Sequence, residues 1–208
     1  MPGEKKKKAA KSAGASKTGL TKKTASAGKR VPHADTAATT PVDGTRIPST
    51  IAPRMVTMKV NGRLRSLHVE PNWTLRDVLR QKLGLTSVKD FCNGYGACGS
   101  CTVIIDGRPA LSCMALAADC GGAVIETAEG IADADHPLIE AFIMNWTAQC
   151  GYCTPGFLVT AKALLDRNSN PSVEEIKEAL GGNLCRCGTY PAHIKAIQQA
   201  SRVLSEEK

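Results

Sequence analysis

The sequence predicts an α+β protein of two small domains. A mixed strand-and-helix domain covers residues 55–127, a four-helix domain covers 137–208, and a basic tail precedes both. Three observations carry this expectation. Residues 1–54 are a Lys-, Ala-, Ser-, Thr- and Gly-rich stretch without aromatics. From residue 55 the apolar residues alternate with period two between Asn-Gly and Asp-Gly turn signals. From residue 137 they recur at helical spacing instead.

Composition narrows the class. The chain has 208 residues and is 42% hydrophobic, which excludes wholesale disorder. Its apolar runs fall far short of the ~18–20 residues that cross a bilayer, so no membrane span is expected. Twelve of the 27 Lys and Arg, but only three of the 19 Asp and Glu, lie within residues 1–54. That segment therefore carries a net +9 and residues 55–208 a net −1. The basic balance belongs to the tail, and nucleic acid is not an expected partner of the folded part. The tail is too polar to bury enough surface to offset its ordering entropy, so it is expected to be disordered, either solvated or docked on an acidic partner or nucleic acid. No apolar export segment follows its basic start, and no Arg-Arg pair precedes one. A cytoplasmic location is expected.

The elements follow in order. "MVTMKV" (55–60) alternates as a strand, Asn61-Gly62 turns it, and "RLRSLHVE" returns. Thr74 caps "LRDVLRQKL", whose Leu75, Val78, Leu79 and Leu83 share a helical face, and Gly84 stops it. A Cys- and Gly-rich loop spans 91–101. "TVIID" (102–106) closes on Asp106-Gly107, and "ALSC" and "AVIET" read as short strands. Segment 128–136 reads as a linker. Helices are expected over 137–149, 156–167, 173–180 (with Ser172 and Glu175 as its capping box) and 193–204. Each domain has only about 75 residues, a size at which a hydrophobic core alone is marginal and metal cross-links are valuable.

Nine cysteines in a chain without export features point to metal or redox chemistry rather than disulfides. The first group is "FCNGYGACGSC" plus Cys113. Its spacing, Cys-x5-Cys-x2-Cys-x11-Cys, is close to the plant-type [2Fe-2S] pattern, with one extra residue between Cys92 and Cys98. Three thiolates on one short loop must converge, and the interleaved glycines give the backbone that freedom. A zinc site is the competing reading. The second group is Cys150 and Cys153 in "QCGYC" with Cys185 and Cys187 in "LCRCGTY". By spacing alone these four could hold a cluster or a tetrahedral zinc.

"CGSCTVIIDGRPALSC", "QCGYCTPGF" and "GNLCRCGTY" together resemble the small iron–sulfur subunit of the xanthine dehydrogenase / aldehyde oxidoreductase family of molybdenum hydroxylases. The resemblance runs from about Met55 to Leu204. It implies a β-grasp, plant-ferredoxin-like first domain holding one [2Fe-2S] cluster on Cys92, Cys98, Cys101 and Cys113. It implies an all-α four-helix second domain holding another on Cys150, Cys153, Cys185 and Cys187. It places Gln149 and Cys187 near the pterin of a molybdenum cofactor in a large partner subunit. It further implies a medium FAD-binding subunit, or another electron acceptor, as second partner. Electrons would run from the molybdenum centre to the helical-domain cluster, then the ferredoxin-like cluster, then the acceptor.

The remaining residues are expected to be structural. Cys120 reads as a small buried hydrophobe, Trp73 and Trp146 as core, and Arg186 as an ion-pair or hydrogen-bond donor. His33, His68, His136 and His193 lack ligand spacing. The chain shows no substrate pocket, no nucleophile–base pair and no nucleotide motif. It is expected to have no catalytic residue of its own and to work within a hetero-oligomer. A free-standing two-cluster carrier and a zinc-stapled interaction module are the competing functions.

Overall fold

The computed structural model describes residues 52–206. The tail expected to be disordered therefore lies, up to residue 51, outside the described residues, as do the last two residues. His33 lies outside them too.

The first part is a five-stranded mixed sheet crossed by a helix. Strands β1 (Arg54–Val60) and β2 (Arg63–Val69) pair antiparallel. Asn61 and Gly62 turn the hairpin with φ of 47° and 77°, the left-handed pair that the Asn-Gly signal anticipates. Val56, Met58 and Val60 of β1 are buried, following its period-two pattern. Strands β3 (Thr102–Ile105) and β4 (Arg108–Leu111) form a second hairpin, closed by Asp106 and Gly107 at φ of 48° and 78°. Strand β5 (Val124–Glu126) lies between them, parallel to β1 and antiparallel to β3. The strand order is β2-β1-β5-β3-β4.

Helix α1 (Leu75–Asp77) starts on a reciprocal capping box between Thr74 and Asp77. It continues as a wider π-helical stretch, Val78–Lys82, in which the Leu83 N–H reaches back to the Val78 carbonyl at 3.1 Å. The face is the expected one, with Leu75, Val78 and Leu79 fully buried between the helix and the sheet. Regular α-helix over the whole expected span is replaced by this looser turn.

The second part is helical: α2 (Ala128–Asp133), α3 (Pro137–Met144), α4 (Thr154–Arg167), α5 (Val173–Leu180) and α6 (Tyr190–Glu206). Helix α4 is central, with Phe157 and the neighbouring apolar residues of its middle turns buried. Its core includes Ile104 of β3, so sheet and helices share buried surface. Lys162 of α4 bonds Glu126 of β5 at 3.1 Å across the same contact.

Two expectations are corrected. Segment 128–136, read as a linker, carries helix α2, because Ala128 and Ile131 sit three residues apart on one face and join the helical core. Helix α3 ends at Met144 instead of continuing to 149. Asn145 binds the Ala141 carbonyl through both its backbone and side-chain N–H groups, and Trp146 then takes a left-handed φ of 52°. That reversal swings Trp146 off the buried face. It is 85% exposed rather than core, and Ile143 and Met144 are exposed beside it. Among the described residues no helix is long and apolar enough to cross a membrane.

Candidate metal centres

Cys92, Cys98 and Cys101 of the first group sit on the loop that leads into β3, and Cys113 follows β4. Between Cys92 and Cys98 the loop makes a tight turn. The Tyr95 N–H bonds the Cys92 carbonyl at 3.3 Å, and both central residues, Asn93 and Gly94, have positive φ, 55° and 83°. Tyr95 points outward into solvent, and Cys92 and Cys98 close up beneath it. Their thiols lie within hydrogen-bonding reach of one another. Burial pushes the Cys92 thiol up, but the N–H groups of Ala97, Tyr95 and Cys98, with the Cys98 thiol, outweigh it and leave the pKa low, at about 7. Cys101 and Cys113 form a second close pair. There burial, with the neighbouring Cys101 thiol, pushes Cys113 up. Ser112 fixes this pair, its hydroxyl donating to the Cys101 carbonyl at 2.7 Å. The guanidinium of Arg76, held by Asp77 at 2.9 Å and Asp90 at 2.8 Å, lies within electrostatic reach of Cys113.

The second group gathers where helices break. Cys150 and Cys153 lie between α3 and α4; Cys185 and Cys187 lie between α5 and α6. Cys153 and Cys185 are the close pair. Burial and the adjacent Cys185 push Cys153 up to about 12. Cys185 is held at about 7: burial opposes ionisation, but the Thr189 hydroxyl, the backbone N–H groups of Thr189 and Cys187, and the Cys153 thiol all favour the thiolate. Cys150 and Cys187 are exposed, as is Gln149. Tyr190 shapes the Cys185 turn, accepting the Cys185 N–H at 2.9 Å and donating to the Asn183 carbonyl at 3.2 Å.

The donor chemistry fits iron–sulfur clusters. All nine cysteines are free thiols. Cys92 lies close to Cys98, Cys101 to Cys113 and Cys153 to Cys185, and a [2Fe-2S] cluster takes two sulfurs on each iron. Cys120, the ninth cysteine, stays apart with its thiol against the Leu116 carbonyl at 3.4 Å, buried as expected.

The two groups are joined by a short bridge that sequence reasoning did not find. The Leu184 N–H donates to the Cys98 carbonyl at 2.9 Å. Cys98 belongs to the first group, and Leu184 immediately precedes Cys185 of the second. Asn183 reinforces the bridge from a buried position, with its amide donating to the Gly99 carbonyl at 3.2 Å and its carbonyl accepting from the Thr160 hydroxyl at 3.0 Å. Gly99 has a φ of +72°, and a β-carbon on it would stand 2.5 Å from the Gly182 carbonyl oxygen. A cavity of ≈ 300 Å³ opens beside this junction, lined by Cys150, Cys153 and Cys185 with Phe91, Tyr152 and Arg186. Tyr152 donates to the Asp90 carbonyl at 2.7 Å, fastening the second loop to the first. Arg186 is exposed, and no ion pair of it is found among the described residues.

Of the other singled-out residues, Trp73 is partly buried, with the Lys82 ammonium 4.4 Å from its ring centroid. His136 caps α3, its Nδ1 accepting the Leu138 N–H at 3.2 Å. His193 is fully buried and stacked on Phe157, ring centroids 4.1 Å apart.

Comparison with known proteins gives the class. Residues 58–129 match the 2Fe-2S iron-sulfur cluster binding domain, and residues 127–198 match the [2Fe-2S] binding domain. The chain is 48% identical over 147 residues to the nicotinate dehydrogenase small FeS subunit of Eubacterium barkeri, a match spanning 70% of this chain and 93% of that one. Quinoline 2-oxidoreductase from Pseudomonas putida 86 has a chain that superposes with a TM-score of 0.70 at 39% identity, over 74% of this chain and 97% of that one. The aldehyde oxidoreductase of Desulfovibrio desulfuricans ATCC 27774 superposes equally well at 46% identity, but the match covers only 17% of its longer chain. The protein belongs to the small iron–sulfur subunits of the xanthine dehydrogenase / aldehyde oxidoreductase family of molybdenum hydroxylases. It carries two [2Fe-2S] binding domains and serves as an electron-transfer subunit of an oxidoreductase.

Proposed function

We propose that this chain passes single electrons between a molybdenum–pterin centre in a large partner subunit and an FAD-binding subunit or other acceptor. Cys92, Cys98, Cys101 and Cys113 hold one [2Fe-2S] cluster, in a β-grasp, plant-ferredoxin-like domain over 55–127. Cys150, Cys153, Cys185 and Cys187 hold the other, in a four-helix domain over 137–208. Bound, each cluster takes up and gives back one electron at a time, which splits the two-electron chemistry of the partner. The protein positions and insulates.

The observation that carries this reading is the Leu184–Cys98 hydrogen bond. A continuous covalent path leads from the Cys98 and Cys185 sulfurs to that bond, so this path has a single through-space step of 2.9 Å. The polarity of the second site supports the direction. Cys153 and Cys185 are half-buried against the helical core, whereas Gln149, Cys150 and Cys187 are exposed where a pterin-bearing surface would meet them. The exposed apolar residues Ile143, Met144 and Trp146 lie next to them in the chain and suit a docking face for the large subunit. The relatives' printed names, nicotinate dehydrogenase and aldehyde oxidoreductase among them, describe enzymes built on such a subunit.

Cys185→Ser in the assembled enzyme tests the reading. The second cluster should be lost, and substrate should still reduce the molybdenum centre while the first cluster stays oxidised. Reduction of the first cluster at the unmutated rate would contradict the order.

A further inference from the structure

The second site contains a buried hydrogen-bonded relay that the electron path does not use. The Cys185 sulfur lies 3.2 Å from the Thr189 hydroxyl oxygen, which lies 3.2 Å from His193 Nε2. Thr189 and His193 are both buried, His193 completely. The directions of these bonds follow from what the far side of the ring lacks. His193 Nδ1 is buried and has no hydrogen-bond partner. Burial pushes the imidazole pKa down to about 4, so at neutral pH the ring carries one proton. A buried N–H without an acceptor costs more than a bare ring nitrogen, because an orphaned donor is rarely tolerated. The proton therefore sits on Nε2 and is donated to the Thr189 oxygen. The hydroxyl proton of Thr189 is then left to point at the Cys185 sulfur.

Thr189 gives up something for this. It immediately precedes α6, and its carbonyl accepts the Ala192 and His193 N–H groups at 3.1 and 3.2 Å. A threonine there ordinarily turns its hydroxyl onto its own helix as a cap. Here the side chain is turned away, toward sulfur and imidazole. His193 is pinned by Phe157 on one face and by Phe142, at 5.2 Å, on another, so the relay is rigid.

We propose that Thr189, oriented by His193, is a positioning residue that donates to Cys185 and raises the reduction potential of the second cluster. Reduction adds negative charge to the cluster and its thiolates, and a donor aimed at one of them favours the reduced form. This rests on Cys185 being a cluster ligand.

The test is a redox titration of the chain with both clusters loaded, followed by electron paramagnetic resonance, with Cys185→Ser identifying the second signal. Thr189→Val keeps shape and removes the hydroxyl. It should shift the second cluster negative by about tenfold in the oxidised-to-reduced ratio, ~59 mV for one electron. The first cluster should not move, and Thr189→Ser should restore the value. His193→Phe keeps the stack on Phe157 and removes the donor; it should shift the same cluster in the same direction by less. An unchanged potential in a fully loaded Thr189→Val chain overturns the proposal, as does an equal shift in Thr189→Ser. If Thr189→Val fails to load, His193→Phe decides: a negative shift supports the relay and no shift overturns it. Fewer than two reduced signals from the unmutated chain would instead defeat the ligand assignment, and the relay with it.

Discussion

A β-carbon placed on Gly156 would stand 2.5 Å from the Gly99 carbonyl oxygen, a separation real side chains do not adopt. Gly156 lies in the first turn of α4, and Gly99 lies between two cysteines of the first loop. Their contact sets how near the two cysteine groups come. Gly156→Ala must push the loops apart, and the strain should cost on the order of 1–3 kcal/mol. Thermal unfolding should show a Tm lower by several degrees. The same substitution should lengthen the Leu184–Cys98 bond and slow electron exchange between clusters, measurable as reduction of the first cluster after rapid mixing. Unchanged stability and rate together would mean that the approach is slack. This residue-level fit was not legible beforehand. Glycines near cysteines announce a wrapped backbone, but nothing in "TPGF" or "CGSC" says that the two motifs touch. Asn183 was equally silent, since an asparagine before a cysteine carries no periodicity.

At the scale of the element, most of the strands and helices could be read, because their causes are local. Asn61-Gly62 and Asp106-Gly107 turn hairpins because both positions need left-handed backbone. Ser172 and Glu175 cap α5 reciprocally because each supplies what the other's backbone lacks. What failed depended on tertiary contact. Helix α2 is too short and polar to stand out, and it forms because Ala128 and Ile131 find the helical core. Helix α3 looked longer than it is, since Trp146 continues its apolar spacing. The left-handed turn after Asn145 breaks that face and leaves an exposed tryptophan. Trp146→Glu should therefore change stability by no more than about 0.5 kcal/mol, as an exposed side chain does. It should weaken association with the large subunit at least about tenfold, or 1.4 kcal/mol. Cluster content should stay intact. Normal co-purification of this variant with the large subunit would remove α3's end from the docking face.

For the whole molecule, two small cores are stitched together at one junction. Ile104 enters the helical core, Lys162 pairs with Glu126, and Tyr152 bonds the Asp90 carbonyl. The cysteine motifs made the class of this protein legible through their combined resemblance to a known family, since spacing alone left zinc open for the second group. The relation between the two groups was not legible, since it rests on contacts between residues distant in sequence: Leu184 with Cys98, Asn183 with Gly99 and Tyr152 with Asp90. In the proposed relay, electrons run from the exposed end at Gln149, Cys150 and Cys187 to the loop around Cys92. The most direct measurement is iron and acid-labile sulfide analysis of the purified chain, joined to paramagnetic resonance after full reduction. Four irons, four sulfides and two distinct one-electron signals per chain are expected. Zinc in their place, or one signal at full iron loading, would contradict the two-cluster account.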